Sequence, residues 1–394
     1  MTGGGRLGRR ALLLLAALGL NGACSTAPPT AAPSAIVIGI DVSRDTADQE
    51  AALAVAGGVR ALLESRYHGR VEGVPVGVRV LDDSTLGRPD PAHGEANLRA
   101  LVADRRVLGV VGPIQSSVAV GEIPVATAAH LALVSPTTTS GCLTHPGNEC
   151  DGLAARLRGS GPVAYFRLPA ADDAVGEAAS RFALSALRVG SVAVGSDGTA
   201  YGRALADGFA ADFKAQGGRI AVRNDLDPHS KPDLDGFLQA ALAGGANAVF
   251  FGGRDAGGAC LVRASMTAVL GAEAPFLGGE AIVTPACVKD AGPVTANVFA
   301  IAAGPADALT NGSADAAGVL LAAISRAIKA NGGNTPSREE VRAQVARGTY
   351  EGHWGKFGFD ANGDSTLRLY TAWSVTGTPP TWTALKTIEL PTRR

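Results

Sequence analysis

The chain has 394 residues, with 35 basic against 36 acidic side chains and a formal net charge of −1. That balance gives no electrostatic reason to expect a nucleic acid partner or a polybasic membrane patch. Hydrophobic residues make up 46% and aromatics 5%. Single cores stop growing at ~250–300 residues, so a chain of this length is expected to form two lobes.

In chain order, Arg6, Arg9 and Arg10 come first, then the apolar run 11–20 (ALLLLAALGL), then small residues up to Cys24. This order reads as a signal peptide over 1–23, too short to span a bilayer, which needs ~20 apolar residues. Leu20-Asn21-Gly22-Ala23-Cys24 resembles the lipobox of bacterial lipoproteins. The resemblance implies that Cys24 is lipidated and becomes the mature N-terminus; ordinary cleavage leaving a free thiol is the alternative. Arg9-Arg10 leaves the export route open between the general secretory and twin-arginine pathways. Residues 24–34, rich in Pro, Ala, Ser and Thr, read as a flexible tether. No later segment is long and apolar enough to span. A lipid-anchored domain on the extracytoplasmic face of the cell membrane is therefore expected.

From residue 35 short apolar runs alternate with helical patterns. The runs fall at 36–40, 76–81, 107–112, 131–135, 191–195, 219–223, 247–253 and 275–279. They are continuous rather than alternating, as in strands buried on both faces of a parallel sheet. Helices are expected over 51–65, 97–104, 204–216 and 316–330. Ser337-Arg338-Glu339-Glu340 after Pro336, with Gly348 as a stop, is a capping box opening one more. The alternation argues for α/β architecture with right-handed crossovers. The strand series occurs twice, before and after 161–167. Two sheet edges facing across a cleft would make a solute trap, since ligands of open parallel sheets sit at strand carboxyl ends.

Besides Cys24 there are four cysteines. Cys142 and Cys150 bracket a turn-rich loop, and a local disulfide is expected there. Cys260 and Cys287 are the remaining pair, although sequence alone does not fix connectivity. No C-x-x-C or paired His accompanies them, so neither zinc nor another metal is expected. The one G-x-G-x-x-G match, at Gly3, Gly5 and Gly8, lies in the signal peptide. No P-loop, G-x-S-x-G or H-E-x-x-H is present. His130 and His353 read as structural or surface groups. Asp360-Ala361-Asn362-Gly363-Asp364 reads as a tight turn, because Gly363 comes too early for a calcium loop and no closing Glu follows. No catalytic residue or cofactor is expected.

Several segments together resemble the leucine/isoleucine/valine-binding proteins, whose fold is the type I periplasmic binding fold. They are Val110-Val111-Gly112-Pro113 with Ile114-Gln115-Ser116-Ser117, Leu133-Val134-Ser135-Pro136-Thr137-Thr138-Thr139, and Ser196-Asp197-Gly198-Thr199-Ala200-Tyr201-Gly202. Phe251-Gly252-Gly253, Gly278-Gly279-Glu280 and Gly358-Phe359-Asp360 with Asn362-Gly363-Asp364 follow in the family's order, and Asp82-Asp83 stands where the family often has an acidic pair. The resemblance implies two Rossmann-like lobes with parallel central sheets joined by a three-crossing hinge. Lobe I would hold 35–166 and 303–353, and lobe II 167–302 and 354–394. The crossings are expected near Arg167, 298–303 and 354–359.

By the same resemblance the chain is a monomeric solute-binding component of an ABC importer, working with membrane permease subunits on an amino-acid-like ligand. Ser116, Thr137 and Thr139, with Ser135 in the same turn, would hold a ligand carboxylate; a helix N-terminus and hydroxyls suit an anion. An N-cap at Ser116 and turn formation at Ser135 and the threonines are the plainer readings. Glu280 would anchor an α-ammonium, against a solvated loop acid. Tyr201 would close over the ligand, against core packing. Two departures matter. Arg254 and Asp255 stand where amino-acid binders usually carry an aromatic. The first strand leads into Asp41-Val42-Ser43-Arg44-Asp45-Thr46-Ala47-Asp48, which also lacks one. Arg254 joins the expected pocket, and a polar amino acid or amide becomes an alternative to a branched-chain one. A sensor subunit of the same fold and, below it, a secreted hydrolase are the competing functions.

Overall fold

The computed structural model describes residues 1, 36–44, 49–145, 150–292 and 295–391. The expected signal peptide, Cys24 with its lipid, the tether and the loop 45–48 lie outside the described residues. Ser34–Arg394 forms one compact unit, and among the described residues no helix is long and apolar enough to cross a membrane.

Two mixed, mainly parallel sheets organise this unit. The first runs Arg70–Val71, Val74–Asp82, Ile36–Val42, Val107–Val111, Ala132–Ser135, Tyr165–Arg167. Its central strands are buried at every residue, as their uninterrupted apolar runs require when both faces are covered. On one face Ile38 and Ile40 pack with Val55, Val59, Leu320 and Ile324. On the other, Val37 and Val110 pack with Leu98, Leu101 and Ile123. The second sheet runs Arg219–Asp225, Ser191–Ser196, Ala248–Gly252, Phe276–Gly279, Val298–Ala303, Leu369–Thr376, Thr381–Glu389. Phe209, Phe213 and Phe250 fill one side of it and Phe237, Phe251 and Phe276 the other.

Helix starts follow local chemistry. Asp90 accepts from the N–H of Ala92 ahead of Pro91–Ala103, with Pro at the first turn. Thr199 caps Ala200–Ala215 through the N–H of Gly202, 3.0 Å away. The Ser337–Glu340 capping box opens Arg338–Arg347 as expected. Both disulfides pair as expected, Cys142 with Cys150 and Cys260 with Cys287.

The structure corrects two expectations. The second sheet is not wholly parallel: Leu369–Thr376 lies antiparallel to both Val298–Ala303 and Thr381–Glu389. Residues 298–303, near which a crossing was expected, are a strand of that sheet, and the chain leaves it at their end to enter helix Ala308–Ala330 on the first core. The expected cut at 353/354 falls inside a hairpin, Tyr350–Gly352 with Gly355–Phe357, whose Tyr350 and Phe357 belong to the first core. Phe359 and Leu367 pack there too, so the chain rejoins the second sheet at Leu369. Aromatic packing of Tyr350 and Phe357 keeps this hairpin with the first core.

Arg167 ties the crossings together. Fully buried, it donates through Nε to Asp364 Oδ1 at 2.7 Å, and its guanidinium also reaches Ser140 O at 2.6 Å and Thr144 Oγ1 at 2.5 Å. His145 bonds Asp173 through Nδ1 at 2.8 Å and Asp364 through Nε2 at 2.5 Å. Those two bonds raise His145 to about 9. Burial opposes ionisation of Asp364, yet His145 and Arg167 hold it at about 2. A buried charge is tolerated when paired on all sides in this way.

Candidate functional site

Each candidate residue outside the Ser135 turn follows the carboxyl end of a parallel strand by a few residues, where open α/β sheets bind ligands. After Val107–Val111 the chain turns through Gly112-Pro113 into helix Ser116–Ala128. Gly112 has φ +133°, and a Cβ there would stand 2.2 Å from Asp41 O, so only glycine lets this turn press against the neighbouring strand. Ser116 opens the helix, where the first N–H groups lack intrahelical partners and carry partial positive charge. Its Oγ accepts from the N–H of Ser140 at 3.3 Å. The half-buried Thr139 and Ser140 therefore lie beside the helix start.

Ser135 departs from its expected ligand role. It is fully buried; its Oγ donates to Pro113 O at 2.8 Å and accepts from Thr138 N–H at 3.1 Å and Thr138 Oγ1 at 2.7 Å. A hydroxyl offers one donor and two acceptors, so nothing is left for a ligand. Ser135 builds the turn that holds Thr139 in place. Thr137 Oγ1 likewise donates to Ile114 O, at 2.8 Å.

Charged groups adjoin this segment. Asp172 follows Tyr165–Arg167; its backbone N–H donates to Thr139 O at 2.9 Å, and its Oδ1 accepts from Gly141 N–H at 2.9 Å. Glu280 follows Phe276–Gly279 and accepts from Tyr201 Oη at 3.0 Å. Tyr201 is in the first turn of the helix after Ser191–Ser196. The Arg254 guanidinium lies 4.8 Å from the centroid of the Tyr201 ring, within cation–π range. Burial pushes Glu280 up to about 7, and the charge of Asp172 adds to the shift. Asp172 is raised as well, by burial, against the Gly141 N–H and Arg167. Tyr201 is raised by burial and then by the charge of Glu280. The structure thus brings Tyr201, Arg254 and Glu280 together, with Asp172 linking them to the Ser116–Thr139 segment.

Asp172 escaped the sequence reading. Acids at a helix start ordinarily just complement the helix dipole, and nothing local separates Asp172, whose amide and carboxylate grip Thr139 and Gly141, from Asp173, which pairs with His145. Chemically, two half-buried acids near each other call for a cation, while a helix N-terminus with hydroxyls calls for an anion.

Comparison with known proteins gives the context. A family described as periplasmic binding protein matches residues 35–376. The Leu/Ile/Val-binding protein BraC3 of Rhizobium johnstonii is 29% identical over 57% of this chain and 56% of its own length. The chain thus spans little more than half of that relative. Leu/Ile/Val-binding protein homolog 1 of Brucella abortus is 25% identical over 80% of the chain and 83% of its length. Among solved structures, an ABC transporter substrate-binding protein from Desulfitobacterium hafniense in complex with Leu superimposes with a TM-score of 0.67 at 18% identity, covering 89% of this chain and 99% of that one.

Proposed function

The chain belongs to the periplasmic binding protein family, on the type I fold of the leucine/isoleucine/valine-binding proteins, and from that premise we propose that it is the solute-binding component of an ABC importer for a zwitterionic amino acid. The family is one of extracytoplasmic solute-binding proteins. The observation that carries the ligand class is that Asp172 is bonded to the segment beside the Ser116 helix start and also lies close enough to Glu280 to raise it, so two acids and a helix start share one neighbourhood. The ammonium would sit against Glu280 and Asp172, and the carboxylate against Ser116, Thr139 and the helix N–H groups. Tyr201 would position Glu280 and cover the ligand. The relatives named for leucine, isoleucine and valine support an amino acid. Arg254 on the Tyr201 ring favours a side chain with a carbonyl or acidic group over a purely apolar one. The protein would act without turnover, as a monomer held by lipid on Cys24, delivering ligand to permease subunits.

Thermal-shift screening of the tether-free domain against the amino acids and their amides tests this, because a ligand that binds only the native state raises its apparent stability. At least one zwitterion should raise Tm. Stabilisation by uncharged solutes alone would overturn the reading. Cys24→Ala should release the protein or leave its signal peptide uncut, and unchanged membrane retention would remove the anchor from the account.

A further inference from the structure

A second group of acids lies inside the first sheet region, beneath the helix that starts at Ser116. Asp41 is near the end of strand Ile36–Val42, Asp83 directly follows Val74–Asp82, and Glu122 is in helix Ser116–Ala128. All three are 0% exposed. One carboxylate oxygen from each lies within 4.8 Å of the other two. Asn97 Nδ2 donates to Asp41 Oδ1 at 3.0 Å, and Ser43 Oγ donates to Asp83 Oδ1.

The second observation concerns what these oxygens lack. Asp41 Oδ2 and both oxygens of Glu122 receive no N–H or O–H donor from any described residue, although the two carboxyl groups lie close enough to each other to share a proton. A buried, unpartnered carboxylate is among the costliest groups a fold can hold, and such groups are normally paired or bound to a metal. Glu122 has no easy route outward: a Cβ on the adjacent Gly121 would stand 2.1 Å from Pro91 O, so the two helices meet backbone to backbone. This contrasts with Asp364, whose oxygens receive Arg167, Thr144 and His145.

We propose that Asp41, Asp83 and Glu122 bind one hard divalent cation. The donors are all carboxylate oxygens, with no His or free Cys among them, which suits calcium, magnesium or manganese rather than zinc or copper. Oxygens within 4.8 Å of one another fit a single coordination sphere. The ion neutralises most of the buried charge. It also clamps the Ser116 helix to two strand ends, beside the contact of Gly112 with the Asp41 backbone. The proposal stands apart from the ligand assigned to the cleft, because its readouts are metal content and unfolding temperature.

The exported protein is purified without chelator, and its metal content is measured by mass spectrometry. Unfolding is then followed in EDTA and, after EDTA removal, in calcium, magnesium or manganese chloride. About one equivalent of one of these metals is expected, with EDTA lowering Tm and that cation restoring about 3–5 °C. Glu122→Gln should abolish the response, and Asp83→Asn serves as the second variant if the first does not fold. The proposal is overturned if wild type carries no stoichiometric divalent metal and its Tm ignores all three cations. It is overturned equally if Glu122→Gln keeps the wild-type response, which would leave shared protons to hold the cluster.

Discussion

Two sets of candidate residues differ in their chemistry. Ser116, Thr139 and Ser140, after strands of the first sheet, offer hydroxyls and backbone N–H groups. Glu280 and Arg254, after strands of the second sheet, and Asp172, which follows the first sheet and is bonded to Thr139 and Gly141, offer ionisable groups. Neutral donors at a helix start can hold an anion without a buried counter-charge. The acids, by contrast, are themselves strained by burial: Glu280 rises to about 7. The lesson is one of asymmetry. Losing a neutral donor removes one bond among several, whereas losing an acid leaves a desolvated cation without its partner.

The sharpest break in that asymmetry is Glu280→Ala, expected to cost about 2–5 kcal/mol of ligand affinity, the usual loss when one partner of a desolvated charge pair is removed. Calorimetric titration reads it directly. The same group sets a pH dependence. An ammonium needs the ionised carboxylate, and with its pKa near 7 Glu280 is protonated below that value. Affinity should therefore weaken by up to about tenfold per pH unit on acidification below 7, since a tenfold change corresponds to one unit. The slope should vanish in Glu280→Gln.

Asp172→Asn keeps an oxygen for the Gly141 N–H but removes the charge. It should cost about 1.5–3 kcal/mol, the range for hydrogen bonds to charged groups. A smaller loss than in Glu280→Ala preserves the expected order. Ser116→Ala leaves the backbone donors in place and should cost about 1 kcal/mol; a loss equal to that of Glu280→Ala would erase the distinction between the two sets. The smallest effect belongs to the exposed Arg254. Arg254→Leu should change affinities by about 0.2–1 kcal/mol, as exposed charges do. It should nevertheless reverse the preference between an apolar side chain and one bearing a carbonyl or acid, measured by competition.

Much of this arrangement was legible along the chain. The continuous apolar runs gave the buried strands, Ser337 with Glu340 gave a helix start, and Ser116, Tyr201, Arg254 and Glu280 stood at strand ends. The rest depends on contacts between distant segments. Asp172 looks like any acid at a helix start until its bonds to Thr139 and Gly141 are seen. Ser135 looks like a ligand hydroxyl until Pro113 and Thr138 consume it. The cut expected at 353/354 divides a hairpin, 350–357, that Tyr350 and Phe357 fasten to the first core. Glu122 reads as one more polar residue of its helix; only the meeting of three segments buries it against Asp41 and Asp83.

The central claim is that one ligand presents an ammonium to Glu280 and Asp172 and a carboxylate to the Ser116 helix start. Calorimetric titration of the wild-type domain with the best amino acid from the screen, its deaminated acid and its carboxamide tests it most directly. The zwitterion should bind with the highest affinity. The deaminated acid should lose about 2–5 kcal/mol by leaving Glu280 without a cation, and the carboxamide a smaller amount, because neutral donors tolerate a neutral acceptor. Equal affinity for the amino acid and its deaminated acid would contradict the account.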